Sequence, residues 1–102
     1  MSQLINAAKV SELQPGQAKT IAAGDREIAV FNVEGKFFAI DNHCPHRGGP
    51  LADGVVEGNN VVCPWHGWRF DLTTGVSPVV KTASVEKFEV VVEGDDVKVK
   101  VN

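Results

Sequence analysis

The sequence has no tyrosine, one methionine and two cysteines among its 102 residues. It also has no long apolar run: the longest, at residues 28–31 and 90–92, fall far short of the roughly 18 residues of a membrane span. The first ten residues lack the basic start and apolar core of a signal peptide, and no Arg-Arg pair is present. We therefore expect a soluble, cytoplasmic protein without a membrane partner.

Basic residues are not in excess, because the sequence has 10 Lys and Arg and 13 Asp and Glu, which gives a net charge of −3. The basic surface of a nucleic-acid-binding protein is therefore not expected. Apolar residues at 43% and charged residues at 23% are ordinary for a globular protein and exclude disorder, a coiled coil or a collagen-like rod. The length fits one domain with a core of its own.

No segment keeps a helical apolar period, and turn residues recur about every ten residues, which is typical of an all-β fold. We predict an antiparallel β-sandwich or barrel with no helix beyond one turn near residues 9–13. In the last predicted strand Val97, Val99 and Val101 share one face, so that face is expected to be buried. The predicted hairpins are Arg26–Val33 with Lys36–Asp41 around Glu34-Gly35, and Lys87–Glu93 with Asp96–Val101 around Gly94-Asp95.

The composition changes sharply in the middle of the chain. Residues 42–78 hold all three histidines, both cysteines, both tryptophans, six of the ten glycines and four of the five prolines. Loops of this kind are usually built for function. We predict one domain over residues 1–102, in which a metal-binding insert at about 42–79 interrupts a β base formed by residues 1–41 and 80–102.

Cysteine and histidine alternate in two short segments of the insert. Cys44 precedes His46 in a C-x-H spacing, and Cys63 precedes His66 in a C-x-x-H spacing. Sixteen residues lie between His46 and Cys63. Zinc fingers pair cysteine with cysteine and histidine with histidine, a catalytic dyad needs one cysteine, and plant-type ferredoxins need four. The pattern therefore favours a two-iron cluster in which two histidines replace two cysteines on one iron.

The two segments, CPHRGGPL and CPWHGWRFDLTTG, resemble those of Rieske-type ferredoxins over about residues 41–79. The resemblance implies a Rieske β fold with one [2Fe–2S] cluster per chain. Cys44 and Cys63 would hold the buried iron, and His46 and His66 the outer iron. A third loop with a proline would cover the cluster, and Ser77-Pro78 is its candidate.

The resemblance extends to ferredoxins of bacterial ring-hydroxylating oxygenases and to small subunits of nitrite reductases. It implies an electron-transfer protein, not an enzyme, that passes electrons from a flavin reductase to a terminal oxygenase. The alternatives are a Rieske subunit of a nitrite reductase-like complex and, in another class, a zinc-binding or apo interaction module. High-potential Rieske proteins carry a disulfide cysteine where this chain has Gly49 and Trp65, and a serine where it has Trp68. The resemblance therefore implies a low potential, near about −150 mV.

Several residues beside the ligands invite a structural interpretation. His43 is predicted to be a loop residue that caps backbone groups. One of Trp65 and Trp68 is expected to pack under the loops and the other to be exposed. Arg47 either contacts an acidic partner or is solvated. Arg69 and Asp71 are predicted to lie on a strand with surface roles, and the acidic residues 93–96 to form a solvated hairpin tip.

Overall fold

The computed structural model of the protein describes residues 3–44, 49–65, 67–79 and 83–101. Over these ranges the chain forms β-strands and two 3-10 turns, which confirms the predicted all-β fold. No helix in the same ranges is long and apolar enough to cross a membrane. The strands are β1 (Gln3–Lys9), β2 (Ala18–Ala23), β3 (Arg26–Val33), β4 (Lys36–Asp41), β5 (Val55–Glu57), β6 (Asn60–Val62), β7 (Arg69–Asp71), β8 (Lys87–Glu93) and β9 (Asp96–Val101).

Two sheets divide these strands. Six of them form an antiparallel sheet in the order β1-β9-β8-β4-β3-β2. Its outer strands, β1 and β2, approach each other, so the sheet curls into a nearly closed barrel. The remaining strands form a second antiparallel sheet, β5-β6-β7, that lies wholly within the insert.

Both predicted hairpins are confirmed with their predicted bounds. In the β3–β4 turn Glu34 has φ of 53° and Gly35 has φ of 91°. Positive φ at both central residues gives a turn whose twist matches that of the flanking strands. The buried face of β9 is confirmed as well, because Val97, Val99 and Val101 all lie in the core.

Strand β3 lies between two hydrophobic cores, one on each of its faces. Ile28 and Val30 point into the barrel core, whereas Ala29, Phe31 and Val33 point to a second core beneath the insert. Successive strand residues face opposite sides of a sheet, so a strand with apolar residues throughout can serve both cores. The strand is therefore buried on both faces, and the core beneath the insert lies on the side of β3 opposite to the barrel core.

Of the three strands of the insert, the sequence indicated only β7, where Arg69 and Asp71 are predicted to lie on a strand. A three-residue strand such as β5 is too short to show an alternating pattern, and its partner β6 has the same length. The predicted helical turn near residues 9–13 is confirmed as the 3-10 turn Val10–Glu12. A second 3-10 turn, Leu51–Asp53, follows the first cysteine segment.

The acidic hairpin tip at residues 93–96 is solvated, as predicted, because residues 93–95 are exposed, and it also contacts the first 3-10 turn. The Asp95 carboxylate accepts hydrogen bonds from the Ser11 backbone N–H and hydroxyl, both at 3.3 Å. Lys9 Nζ lies 3.3 Å from Asp96 Oδ1. That hydrogen bond, followed by the charge of Asp96, raises the pKa of Lys9 above its ordinary value. The tip therefore anchors the first 3-10 turn to the barrel.

Candidate metal centre

The first cysteine loop is closed by its own backbone. Cys44 N–H donates to the Gly49 carbonyl at 2.9 Å, and a β-bridge joins His43 to Pro50 on either side. The two ends of the six-residue loop, Cys44 and Gly49, are therefore held next to each other. His46 belongs to this loop by sequence but lies outside the described residues, as does Arg47.

Asn42 fastens the start of this loop to the fold. Its side-chain Oδ1 accepts the Ala52 N–H at 2.8 Å, and its carbonyl accepts the Leu51 N–H at 2.7 Å. Its own N–H donates to the carbonyl of Glu27 on β3 at 2.9 Å. Asn42 is 4% exposed, and sequence reasoning missed its role. The available signal was a polar residue directly between a strand and the first cysteine segment.

The second cysteine loop has a matching closure. It connects β6 to β7, and Cys63 N–H donates to the Trp68 carbonyl at 2.7 Å. Gly67 N–H donates back to the Cys63 carbonyl at 3.0 Å. In both loops, then, the cysteine amide binds the carbonyl five residues further along the chain. His66 lies within this loop by sequence and outside the described residues.

The two cysteines share a dry environment. Cys44 and Cys63 are each 2% exposed and belong to the core beneath the insert. Side chains of the β base and of the insert surround them there, including Phe31 and Phe70. Thiolate is a soft ligand suited to iron and zinc, and the prediction that the cysteines face the core is confirmed.

Gly49 brings the two loops into contact. A Cβ atom at Gly49 would lie 3.0 Å from Cys63 Sγ, which is tighter than ordinary van der Waals contact. The first loop therefore lies close to the sulfur of the second loop. A side chain at position 49 would require its neighbours to shift by a few tenths of an ångström. This observation fits a metal centre held jointly by both loops.

The described residues contain only half of the predicted ligand set. Among them, no three His, Cys, Asp or Glu side chains gather in a way that could hold a metal ion. Cys44 and Cys63 are described, whereas His46 and His66 are not. The four-residue ligand set therefore stays a prediction, supported by the burial of both cysteines and the contact between their loops.

The loop around Ser77-Pro78 packs against the same core. Ser77 is 1% exposed and its N–H donates to the Ala83 carbonyl at 3.0 Å. Ala83 and Val85 contact the core that contains both cysteines. Pro78 is exposed. The loop thus lies beside the cysteine core, and its covering of the metal centre stays a prediction.

The two tryptophans are used differently, as the sequence predicted. Trp65 is 56% exposed, although its ring atoms Cγ and Cδ2 would lie 3.1 and 3.2 Å from a Cβ at Gly49. Trp68 is half-buried and packs against the core of the insert. Trp68 therefore packs into the core beneath the loops, whereas Trp65 is largely exposed and lies close to Gly49 of the first loop.

His43 is a loop residue, but its ring does not have the predicted backbone-capping role. Nε2 lies 3.2 Å from Glu27 Oε1 on β3, and Nδ1 lies 3.3 Å from Asp41 Oδ1 on β4. The capping group is instead the Asp41 carboxylate, which accepts the His43 N–H at 2.9 Å. The ring therefore joins the first cysteine loop to the β base through two carboxylates.

Arg69 and Asp71 lie on a strand, β7, as predicted, and each has a polar contact of its own. Arg69 Nη1 donates to Glu57 Oε1 at 2.6 Å, across the small sheet. Asp71 Oδ1 accepts the Thr73 backbone N–H at 2.8 Å and also the Thr73 hydroxyl. These contacts stabilise the small sheet and the turn that follows it.

Comparisons with known proteins agree with this site. A family model described as the Rieske [2Fe-2S] domain matches residues 3–89. The ferredoxin component of the naphthalene 1,2-dioxygenase system of Pseudomonas aeruginosa is 34% identical over 98 residues, covering 93% of this chain and 92% of that protein.

Solved structures agree with the same assignment. The ferredoxin in a complex of reduced oxygenase and oxidized ferredoxin of carbazole 1,9a-dioxygenase is 30% identical with a TM-score of 0.88, covering 94% of this chain and 91% of that chain. A Mycobacterium tuberculosis protein assigned as the small subunit of an NADH-dependent nitrite reductase has a TM-score of 0.94 at 21% identity. The match covers 100% of this chain and 97% of that chain. That last likeness is one of fold alone.

Proposed function

Because this chain belongs to the Rieske [2Fe-2S] domain family, we propose that it is a one-electron carrier that passes electrons from a flavin reductase to a terminal oxygenase. The observation that carries the proposal is the similarity over nearly the whole length of both chains to a dioxygenase ferredoxin component. That relative is an electron-transfer component and not a catalytic subunit. We therefore propose an electron-transfer protein of low potential and no catalytic site of its own.

Family membership implies one [2Fe–2S] cluster, and the donor set fits it. We propose that Cys44 and Cys63 hold one iron from the core side, and that His46 and His66 hold the other iron. Buried thiolates suit the dry side of the centre, whereas neutral imidazoles tolerate water. The cluster supplies one-electron redox chemistry, and the closed loops hold its ligands in place.

We also propose that residues 1–102 form one Rieske domain, with the insert at about 42–79 as its cluster-binding part and residues 1–41 and 80–102 as its β base. The separate three-stranded sheet within the insert supports this division. A cytoplasmic location without a nucleic-acid or membrane partner belongs to the same proposal. The net charge of −3 argues against a nucleic-acid partner, and two cysteines that are not joined as a disulfide fit a reducing compartment.

Two other functions fit parts of the data. A Rieske subunit of a nitrite reductase-like complex has the same fold, but the likeness there is 21% in identity against 34% for the dioxygenase ferredoxin. A zinc-binding or apo interaction module would use the same cysteines without iron. The proposed carrier is favoured because its relative is the more similar in sequence, whereas the nitrite reductase subunit matches this chain equally well in length.

The proposal is tested by purifying the protein without air and counting metal and sulfide. The expected result is two irons and two acid-labile sulfides per chain, a brown-red colour and a paramagnetic reduced state. The Cys63→Ser variant should lose this signal, and Glu34→Gln, at a hairpin turn of the β base, should keep it. One zinc per chain with no labile sulfide would overturn the cluster.

The partner assignment has its own test. The reduced protein is mixed in a stopped-flow instrument with a ring-hydroxylating terminal oxygenase, and separately with a nitrite reductase large subunit. Rapid reoxidation by the oxygenase supports the carrier. Reoxidation only within a stable complex with the nitrite reductase subunit would replace it with the second function.

A further inference from the structure

Gly49 and Trp65 make a contact that joins the two cysteine loops. The position of a Cβ at Gly49 lies 3.0 Å from Cys63 Sγ, and 3.1 and 3.2 Å from Trp65 Cγ and Cδ2. The sulfur and the indole therefore fill the space on the side of Gly49 where a side chain would project. Gly49 is buried, although it belongs to a loop at the surface of the insert.

The loop that carries Trp65 is closed by backbone hydrogen bonds. Hydrogen bonds from Cys63 N–H to the Trp68 carbonyl and from Gly67 N–H to the Cys63 carbonyl close the chain on both sides of Trp65. The side chain is 56% exposed, so part of the ring meets solvent while the rest covers the glycine.

The neighbouring sulfur is the group that such a cover protects. Cys63 is 2% exposed, and the space at Gly49 touches both its Sγ and the indole. Water that reaches a cluster thiolate donates hydrogen bonds to it, stabilises the reduced state and raises the potential. Water also opens a route for loss of iron. A ring at this position therefore affects both the potential and the lifetime of the centre.

We propose that Trp65 is a positioning residue whose indole, lying on Gly49, clasps the two cysteine loops together and keeps water from the Cys63 sulfur. This inference rests on the proposed function, because the protected sulfur is that of a cluster ligand. It goes further by giving a role to a residue that binds no metal. The contact requires glycine at position 49 and a flat ring at position 65.

The test compares three variants of the cluster-bearing protein. Trp65→Ala removes the ring, Trp65→Phe keeps an aromatic plate, and Val55→Ala removes a 65% exposed apolar side chain from β5 as a matched control. The potential is measured by protein-film voltammetry, and iron release by transfer to a coloured chelator. Trp65→Ala should shift the potential to a more positive value and release iron several-fold faster than the parent. Trp65→Phe and Val55→Ala should stay near the parent in both measurements.

The opposite results are equally specific. A potential and an iron-release rate that do not change in Trp65→Ala would overturn the clasp, and slower reoxidation by an oxygenase in the same variant would make Trp65 a partner contact. Faster iron release at an unchanged potential and spectrum would show general loosening of the loop and also overturn it. A parent protein without iron and sulfide would overturn the proposed function and the clasp together, so the two failures are distinguishable.

Discussion

The β base and the insert are ordered by different means. The six strands of the barrel are six to eight residues long, whereas each strand of the insert has three residues. Long ladders give the barrel many backbone hydrogen bonds along each strand. The insert instead depends on closed loops and on side chains packed against the barrel. The comparison teaches that the insert, which is proposed to hold the cluster, depends more on the β base than the β base depends on it.

The insert and the β base share the hydrophobic core beneath the insert, but only the β base has a second core. Beneath the insert, Leu51, Val61, Phe70 and Leu72 of the insert meet Ala29, Phe31, Val33 and Ile40 of the β base. The barrel also has a separate core of its own, on the other face of β3. Loss of the insert would therefore leave the barrel core intact, whereas loss of the barrel would remove half of the packing of the insert.

The largest effect is expected on removal of the metal. Because the insert has short strands, the bonds from its ligands supply much of its order. Amides of the two cysteine loops and of β5–β7 should lose most of their hydrogen-exchange protection in the apo protein. Amides of the β3–β4 and β8–β9 hairpins should keep it, and equal loss in both regions would break the comparison.

A change in the shared core comes next. Phe31→Ala removes a fully buried ring and should lower the free energy of unfolding by about 3–5 kcal/mol. Because Phe31 lies on β3 but packs beneath the insert, both regions should weaken together in denaturant unfolding. The control Val92→Ala, at a 48% exposed position, should change the stability by less than about 0.5 kcal/mol. Similar effects for both variants would show that the shared core does not join the two regions.

A smaller and more local effect is expected at Asn42. Asn42→Ala leaves the Ala52 N–H without its acceptor, which costs about 1–3 kcal/mol when the group is buried. Iron release from the first loop should quicken more than the barrel weakens, as measured by chelator transfer and thermal unfolding. Asn6→Ala, at an exposed position on β1, serves as control. Equal loss of barrel stability and iron retention would assign Asn42 to the β base.

The smallest effect concerns the surface of the β base. The hydrogen bond and charge of Asp96 raise the pKa of Lys9 above its ordinary value of 10.5, so the pair favours the folded state while Lys9 is charged. A raised folded pKa gives stability that is present below about pH 10.5 and is lost as the pH rises further. Lys9→Met should therefore unfold at a slightly lower temperature than the parent at pH 7, and the difference should shrink as the pH rises through the raised pKa of Lys9. A difference that grows at high pH would contradict this sign.

The sequence revealed those features that are local in the chain. The β3–β4 hairpin was predictable with its bounds because Glu34-Gly35 is a turn signal between two β-branched runs. The candidate ligands were readable because each histidine follows its cysteine within three residues. Within the insert the sequence indicated a strand at Arg69 and Asp71, whereas β5 and β6 were not predictable, since three residues cannot show an alternating period.

Other features depend on residues that are distant in sequence. The contact between Gly49 and Trp65 joins positions sixteen residues apart, and only the approach of two loops brings them together. The carboxylate of Glu27 reaches His43 because β3 pairs with β4. The sequence pattern predicts neither contact, because both depend on how the loops pack against each other and against the barrel.

The central claim is that the insert holds a Rieske cluster tuned for low-potential electron transfer. Protein-film voltammetry of the metal-loaded protein at neutral pH tests it most directly. The chain has no tyrosine and carries Trp68 two residues after His66, so it lacks hydroxyl donors at these positions that would stabilise the reduced state. A reversible one-electron wave near about −150 mV is the predicted result. A potential well above zero, or no reversible wave, would contradict the account.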